Sequence, residues 1–337
     1  MGLRIALLCL LAAGLLPGQV PRIGIIDCYG LRKVPETRVR QALGVKEGDL
    51  LPGSKAKLEE QLEKIPGIVR AQLATVCCDD GKAILFVGLE EKGAPHFDFR
   101  SPPSGNLSLP PDLVETYGKL MEAVMQAAQA GSTAEDLTHG YSLMANPECR
   151  ALQEQFPPFA EKNVELLRQV LRNSGDAEQR AIAAYVIGYA PKQRGVVDDL
   201  LYAIQDSDDS VRNNAMRALA AIAVLATLEP EAGLRIPPTW FIEMLNSIIW
   251  SDRNKATFAL VNLTEGRKPE VLQQLRERAL PALVEMAQWK SLGHALPAFI
   301  LVGRIAGLSE REIYQAWEKG ERQRVILQLV KPAGGKK

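Results

Sequence analysis

The stretch that decides the fold of most of the chain is NSGDAEQRAIAAYVIGYA (173–190), which is followed by a second copy, DSDDSVRNNAMRALAAIA (206–223). In both copies a polar turn precedes an alanine-rich helical segment, and Arg180 and Arg212 occupy matching positions. Two later stretches follow the same plan more loosely, WSDRNKATFALVNLT (250–264) and KSLGHALPAFILVGRIAG (290–307). The chain therefore contains an internal helical repeat.

The repeat period indicates stacked helix pairs. Second helices such as VVDDLLYAI (196–204) lie between the alanine-rich ones, whose equivalent alanines are spaced by 31, 41 and 39 residues: Ala184, Ala215, Ala256 and Ala295. A period of about 30 to 45 residues built from helix pairs is typical of α-solenoids. The sequence predicts an all-α solenoid over residues 113–331, clearest over 160–307.

The first two copies closely resemble HEAT repeats, with an acidic turn before the helix that carries Arg212. This resemblance implies a curved scaffold that binds proteins rather than a chemical activity. Arg180 and Arg212 are also candidates for a ligand-binding ladder, but we interpret them as bridges between successive turns. A HEAT-like protein that binds a small molecule, similar to the bilin-lyase branch, stays an alternative.

The N-terminal residues 1–20 predict a secretory signal peptide. MGLR supplies a positive start, IALLCLLAAGLL (5–16) is an apolar run, and small and turn-forming residues come next. The run is shorter than the roughly 20 apolar residues that a spanning helix needs. We therefore expect secretion across the inner membrane to the periplasm or cell envelope, with no transmembrane span in the mature chain.

Residues 21–92 predict a small α+β module. RIGIIDCYG (22–30) is typical of a strand, and a helix capped by Ser54 is predicted after a first short helix. IPGIVRAQLATVCC and AILFVGLEEK then alternate like two strands joined by an Asp-Gly turn. The predicted order is β-α-α-β-β with a three-stranded mixed sheet.

This module resembles a polypeptide-transport-associated (POTRA) domain in its first strand, in Gly48-Asp49 before the Ser-capped helix, in KIPGIV, and in its final paired glutamates. In that family the last strand is central, which implies that the preceding strand lies at the sheet edge. An edge strand accepts an extended peptide through its backbone. The implied protein-binding edge comprises Val69, Arg70, Ala71, Gln72, Leu73, Ala74, Thr75 and Val76.

The remaining segments connect or extend these two parts. GAPHFDFRSPPSGNLSLPPD (93–112) is rich in proline, glycine and serine, and predicts an interdomain linker. Ser132 and Glu135 have capping-box spacing and predict the start of another helix. Residues 332–337 predict a solvated tail.

The overall charge argues against nucleic acid as a partner, because 40 basic and 40 acidic residues cancel. We expect protein partners instead, with an outer-membrane barrel or its client as the envelope candidates that the POTRA resemblance implies. A purely structural solenoid without a specific partner is another alternative.

The cysteines raise the question of an enzyme. Cys77 and Cys78 are neighbours in a predicted strand, so their thiols point to opposite faces and do not share a metal ion. We expect Cys77 to be buried and Cys78 to face outward, where it can pair with Cys28 or Cys149. No catalytic, cofactor or metal motif is predicted, although an envelope enzyme that uses the vicinal thiols stays an alternative. The sequence as a whole predicts a secreted, non-enzymatic adaptor or scaffold in envelope protein assembly or transport, which binds one partner at the sheet edge and a second on the concave solenoid face.

Overall fold

The computed structural model describes residues 21–191 and 194–330. The predicted signal peptide (1–20) and tail (332–337) lie outside the described residues. The first five elements are β1 (Ile23–Tyr29), α1 (Glu36–Leu43), α2 (Lys55–Glu63), β2 (Ile68–Asp79) and β3 (Lys82–Glu91).

Helices form most of the chain after β3. In chain order the next elements are α3 (Pro111–Gln129), the short strands β4 (Glu135–Asp136) and β5 (Leu143–Met144), α4 (Pro147–Gln153), α5 (Phe156–Asn173), α6 (Ala177–Ile187), α7 (Arg194–Ala203) and α8 (Asp209–Leu228). The last group is α9 (Thr239–Met244), α10 (Trp250–Leu263), α11 (Pro269–Arg278), α12 (Leu280–Ala287), α13 (Leu292–Ile305), α14 (Glu310–Glu318) and α15 (Arg322–Val330). Among the described residues, every helix is too short or too polar to cross a membrane.

The described chain separates into two compact units. One contains residues 77–82 and 99–236, and the other contains residues 21–76, 83–98 and 237–330. We call them the repeat unit and the sheet unit. The small sheet thus shares a unit with the last helices of the chain, a grouping that the sequence did not predict.

The predicted three-stranded sheet is present in the sheet unit, with the strand order β1-β3-β2. β1 runs parallel to β3, and the pairing extends from Ile23 opposite Ala83 to Tyr29 opposite Gly88. From Ala83 to Glu91 every residue of β3 is buried, so the central strand is covered on both faces. α1 and α2 cover one face, where Val39, Leu43 and Leu62 pack against the strands.

Local signals explain how the two covering helices begin and end. The Ser54 hydroxyl accepts a hydrogen bond from the backbone N–H of Lys57 at the start of α2, as the sequence predicts. α1 ends at Gly44, whose φ of 67° lies in the left-handed region that glycine adopts at little cost. The helix α2 lies beside β2, because its side chains accept hydrogen bonds from the backbone of that strand.

The outer edge of β1 is covered by the chain itself. The backbone N–H of Ile23 donates to the Asp49 carbonyl at 2.8 Å, and the Gly48 N–H donates to the Ile23 carbonyl at 2.7 Å. Farther along, the Arg40 guanidinium donates to the Ile26 carbonyl at 2.9 Å. Since β3 is central and β1 is covered in this way, β2 forms the other edge of the sheet.

Candidate protein-binding surfaces

The predicted binding edge lies on β2, but its residues differ in exposure. Val69 is 50% exposed, and Thr75 is also exposed. Ala71 and Leu73 are buried against the core beneath α1 and α2. The other four members comprise exposed Arg70 and half-buried Gln72, Ala74 and Val76.

Two backbone donors of this edge are already occupied by α2. The Ala71 N–H donates to the Glu63 carboxylate at 3.0 Å, and the Leu73 N–H donates to the Glu59 carboxylate at 2.7 Å. Backbone groups of a strand point alternately toward one neighbour and the other. Because the N–H groups of Ala71 and Leu73 are bonded to α2, this alternation predicts that the Thr75 N–H points outward as well.

These two glutamates are not among the site residues predicted from the sequence. Glu59 and Glu63 are spaced by four residues and therefore share a face of α2. Two glutamates with this spacing, on a helix followed by an edge strand, indicate that the helix can bond the backbone of the strand. The strand order must be known before the spacing can be interpreted in this way.

The opposite face of the sheet packs on the last helices within the sheet unit. The Phe86 ring lies 5.3 Å from that of Trp250, 4.9 Å from Trp289 and 5.5 Å from His294, measured between ring centroids. The Tyr29 hydroxyl donates to the Ile248 carbonyl at 2.7 Å. This face of the sheet is therefore unavailable to a partner.

Ionic groups add to the same contact. The Asp27 carboxylate accepts hydrogen bonds from the backbone N–H groups of Lys290 and Ser291 at 2.9 and 3.1 Å, just before α13 begins. Burial raises the pKa of Asp27, while these two bonds and nearby cations oppose that rise. Glu285 accepts from the Gly30 N–H at 2.8 Å and from the Arg253 guanidinium at 2.9 Å.

A cleft of about 290 Å³ lies beside this contact, and its lining includes Gly30, Leu89, Arg253, Pro281 and Glu285. A volume of about 300 Å³ is the lower end for small-molecule sites. Among the buried or partly buried charges of its lining, Arg253 is paired with Glu285, and Glu90 is paired with His96. The cleft therefore offers little unpaired charge to a polar ligand.

In the repeat unit, Arg180 bridges two successive turns. Its guanidinium donates to both carboxylate oxygens of Asp206 at 2.9 and 2.8 Å, and to the carbonyls of Ser174 and Gly175 at 3.0 and 3.2 Å. Only 1% of Arg180 is exposed. The interpretation of this arginine as a structural bridge is confirmed.

Arg212 organises the next turn in the same way. It donates to the carbonyls of Asp206 and Ser207 at 2.8 and 3.0 Å. In the sheet unit, Arg253 repeats the contact by donating to the Ser247 carbonyl, and this third member is missing from the sequence-based assignment. The position of Arg253 in WSDRNKA, after a polar turn, could have indicated this role from the sequence.

The predicted linker is partly bound to these turns in the repeat unit. The Arg100 N–H donates to the Gln205 carbonyl at 2.9 Å, and the Gly105 N–H donates to the Asn173 carbonyl, also at 2.9 Å. The two acceptors precede equivalent turns of successive repeats. An extended segment of this chain thus pairs with the repeat turns through its backbone.

Side chains strengthen this internal pairing. The Arg100 guanidinium lies 3.3 Å from the centre of the Tyr202 ring, and that of Arg172 lies 4.3 Å from the same ring. The Leu109 N–H donates to the Gln179 side chain at 2.7 Å. The turn side of these repeats is consequently occupied by residues 99–109.

Another repeat surface is covered by α3. The Asn214 amide donates to the Tyr117 hydroxyl at 3.1 Å, and the Tyr117 and Tyr185 rings lie 5.3 Å apart. Tyr185 belongs to α6 and Asn214 belongs to α8. These helices therefore do not present a bare face in this region.

The cysteine predictions require correction. Cys28 and Cys149 are free thiols, so the expected pairing of Cys78 with either one is wrong. Cys77 is exposed and disulfide-bonded, not buried, because β2 extends beyond the core that covers Ala71.

The two free thiols are poor nucleophiles at neutral pH. Burial raises the pKa of the Cys28 thiol to about 12, and burial also raises the pKa of the Cys149 thiol. In the part of the chain that the structure describes, no three His, Cys, Asp or Glu side chains are grouped to hold a metal ion.

Comparison with known proteins identifies the repeats. Residues 164–232 match the family model for HEAT repeats, which agrees with the repeat predicted from Arg180 and Arg212. Comparison with curated proteins gave no match.

Solved structures similar to this chain include designed and engineered proteins. One engineered protein is 17% identical with a TM-score of 0.38, over 65% of this chain and 96% of that one. A designed armadillo repeat protein is 18% identical with a TM-score of 0.35, over 59% and 92%. A computationally designed armadillo repeat protein for modular peptide recognition is 15% identical with a TM-score of 0.34, over 65% and 98%. Likenesses this low assign no ligand and no function to the chain.

Proposed function

We propose that the chain is a non-enzymatic protein-binding adaptor, and that β2 is the edge at which a partner polypeptide adds as a further strand. The observation that carries this proposal is the position of β2. It is the outer strand of a sheet whose central strand is buried on both faces and whose other edge is covered. Strand addition needs such an accessible edge.

The HEAT repeats support the scaffold part of the proposal. The family model matches residues 164–232, and the structure has helices α5 to α8 in this region. In this role the array holds residues 99–109 and stabilises the chain, while partner binding takes place at the sheet.

We further propose that the sheet with its two helices is a POTRA-type module that works in the cell envelope. The support is the sequence pattern of residues 21–92 and the apolar segment within residues 1–20. In this role the partner is an outer-membrane barrel protein or the client that such a protein handles.

Site-specific photo-crosslinking in cells tests the proposal. A photoreactive amino acid at Val69, which is 50% exposed on β2, is compared with one at Leu228, which is 57% exposed at the end of α8. We expect a defined protein to be crosslinked from position 69 and not from position 228. Equal recovery from both positions, or none from position 69, would overturn the proposal.

A further inference from the structure

Two carboxylates occupy backbone donors on the β2 edge. Glu63 and Glu59 accept the outward N–H groups of Ala71 and Leu73, at 3.0 and 2.7 Å. A strand that adds to this edge must offer its own carbonyls to the same two donors. Both carboxylates are then displaced from their backbone partners.

Displacement is sterically feasible because neither glutamate is locked in the core. Glu63 is exposed, and 16% of the Glu59 side chain is exposed. The Glu59 carboxylate is the more shielded of the two, so the loss of its hydrogen bond is offset best when a cation of the partner reaches it. The approach of Lys55 Nζ to Glu59, at 3.5 Å, indicates that this position already attracts a cation.

The spacing of the two carboxylates matches the period of a strand. Four helical residues advance by about 6 Å, and two strand residues advance by about 6.7 Å. Cationic side chains at alternate positions of an added strand therefore fall opposite Glu59 and Glu63, one each.

We propose that the β2 edge selects an extended segment that carries lysine or arginine at alternate positions. The proposal rests on the function proposed above and specifies its partner. The glutamates act as a gate: they hold the edge donors when no partner is present, and they bind the partner's cations when its backbone takes those donors. A neutral strand displaces the two carboxylates without offering them a cation.

Peptide binding to the full chain tests the selection. Three labelled peptides of one β-prone sequence carry lysine, glutamine or glutamate at two alternate positions, and fluorescence anisotropy measures each Kd. Two partly exposed ion pairs are worth about fivefold in Kd, so the lysine peptide should bind about fivefold more tightly than the glutamine peptide. The glutamate peptide should bind most weakly.

Variants of the two glutamates test whether they cause the preference for lysine. In the double variant Glu59→Gln and Glu63→Gln, the lysine preference should fall below about twofold. Glu60→Gln is the matched control, since Glu60 is an exposed glutamate of the same helix, and it should keep the preference. Raising the salt concentration from about 0.05 M to about 0.5 M should also reduce the preference in the unmodified chain, which is a readout that needs no variant.

The outcomes separate this inference from the proposed function. Thr75→Pro removes an outward N–H without removing a bond to β3, and Thr75→Ala keeps that donor. If the peptides bind without charge preference and only Thr75→Pro abolishes binding, the cationic selection is wrong and strand addition stands. If none of the peptides binds, the selection and the strand-addition function both fail.

Discussion

Replacing Phe86 with alanine tests whether the small sheet is an integral part of the sheet unit. Phe86 is fully buried on β3 and its ring contacts those of Trp250, Trp289 and His294. Truncating a buried phenylalanine costs about 3 to 5 kcal/mol, to which well-placed aromatic pairs contribute roughly 0.5 to 1.5 kcal/mol each. We expect the free energy of unfolding of the sheet unit to fall by about 4 kcal/mol.

Urea unfolding followed by tryptophan fluorescence measures this loss, because two of the contacting rings are tryptophans. With an m-value of about 2 kcal/mol/M, the midpoint of the unfolding transition of this unit should fall by about 2 M. Phe258→Ala is the control, since Phe258 is 45% exposed in the same unit, and it should cost less than about 1 kcal/mol. An equally small loss for Phe86→Ala would mean that the sheet folds without the support of the last helices.

Three further predictions concern stability. Arg180→Ala should destabilise the repeat unit by about 3 to 5 kcal/mol in urea unfolding, because the buried Asp206 carboxylate loses its guanidinium partner; a loss below about 1 kcal/mol would contradict the bridging role. Tyr29→Phe should cost the sheet unit about 1 to 3 kcal/mol, since the Ile248 carbonyl loses its donor, and an unchanged urea midpoint would contradict this. Burial raises the pKa of Glu91, but three backbone N–H donors outweigh it and leave that pKa below the ordinary value. The contribution of Glu91 to stability is therefore present above its unfolded-state pKa and is lost as the pH falls through its folded-state pKa. Glu91→Gln should flatten the acid side of a plot of unfolding free energy against pH. An unchanged acid side would contradict the stabilising role of Glu91.

Much of the fold could be predicted because local signals carry it. Ser54 caps α2 as its sequence position suggests, and the matching positions of Arg180 and Arg212 mark successive repeat turns. The continuous apolar run AILFV in β3 is what a strand buried on both faces requires. The alternation predicted for this strand from the sequence would have buried only one face.

The features that were not predicted from the sequence depend on contacts between residues far apart in the chain. Ser132 and Glu135 have capping-box spacing, yet Glu135 lies in the short strand β4 and accepts a hydrogen bond from Arg217, so the predicted helix does not form there. The predicted linker pairs with turns about 70 to 100 residues away, because its extended backbone matches their free carbonyls.

The candidate site was predictable only in part for the same reason. Alternation within residues 69–76 identifies a strand, and the POTRA resemblance places it at an edge. The occupation of the edge by Glu59 and Glu63 depends on the packing of α2 beside β2, which periodicity alone does not specify.

Pairing of a partner with the backbone of β2 can be tested by a single comparison of two variants. Crosslinking from position 69 in cells is measured in the Thr75→Pro and Thr75→Ala backgrounds, which differ in one outward N–H group of the edge. If the partner adds as a strand, its crosslink persists with alanine and is lost with proline, at equal protein levels. Equal crosslinking in both backgrounds would contradict strand addition at β2.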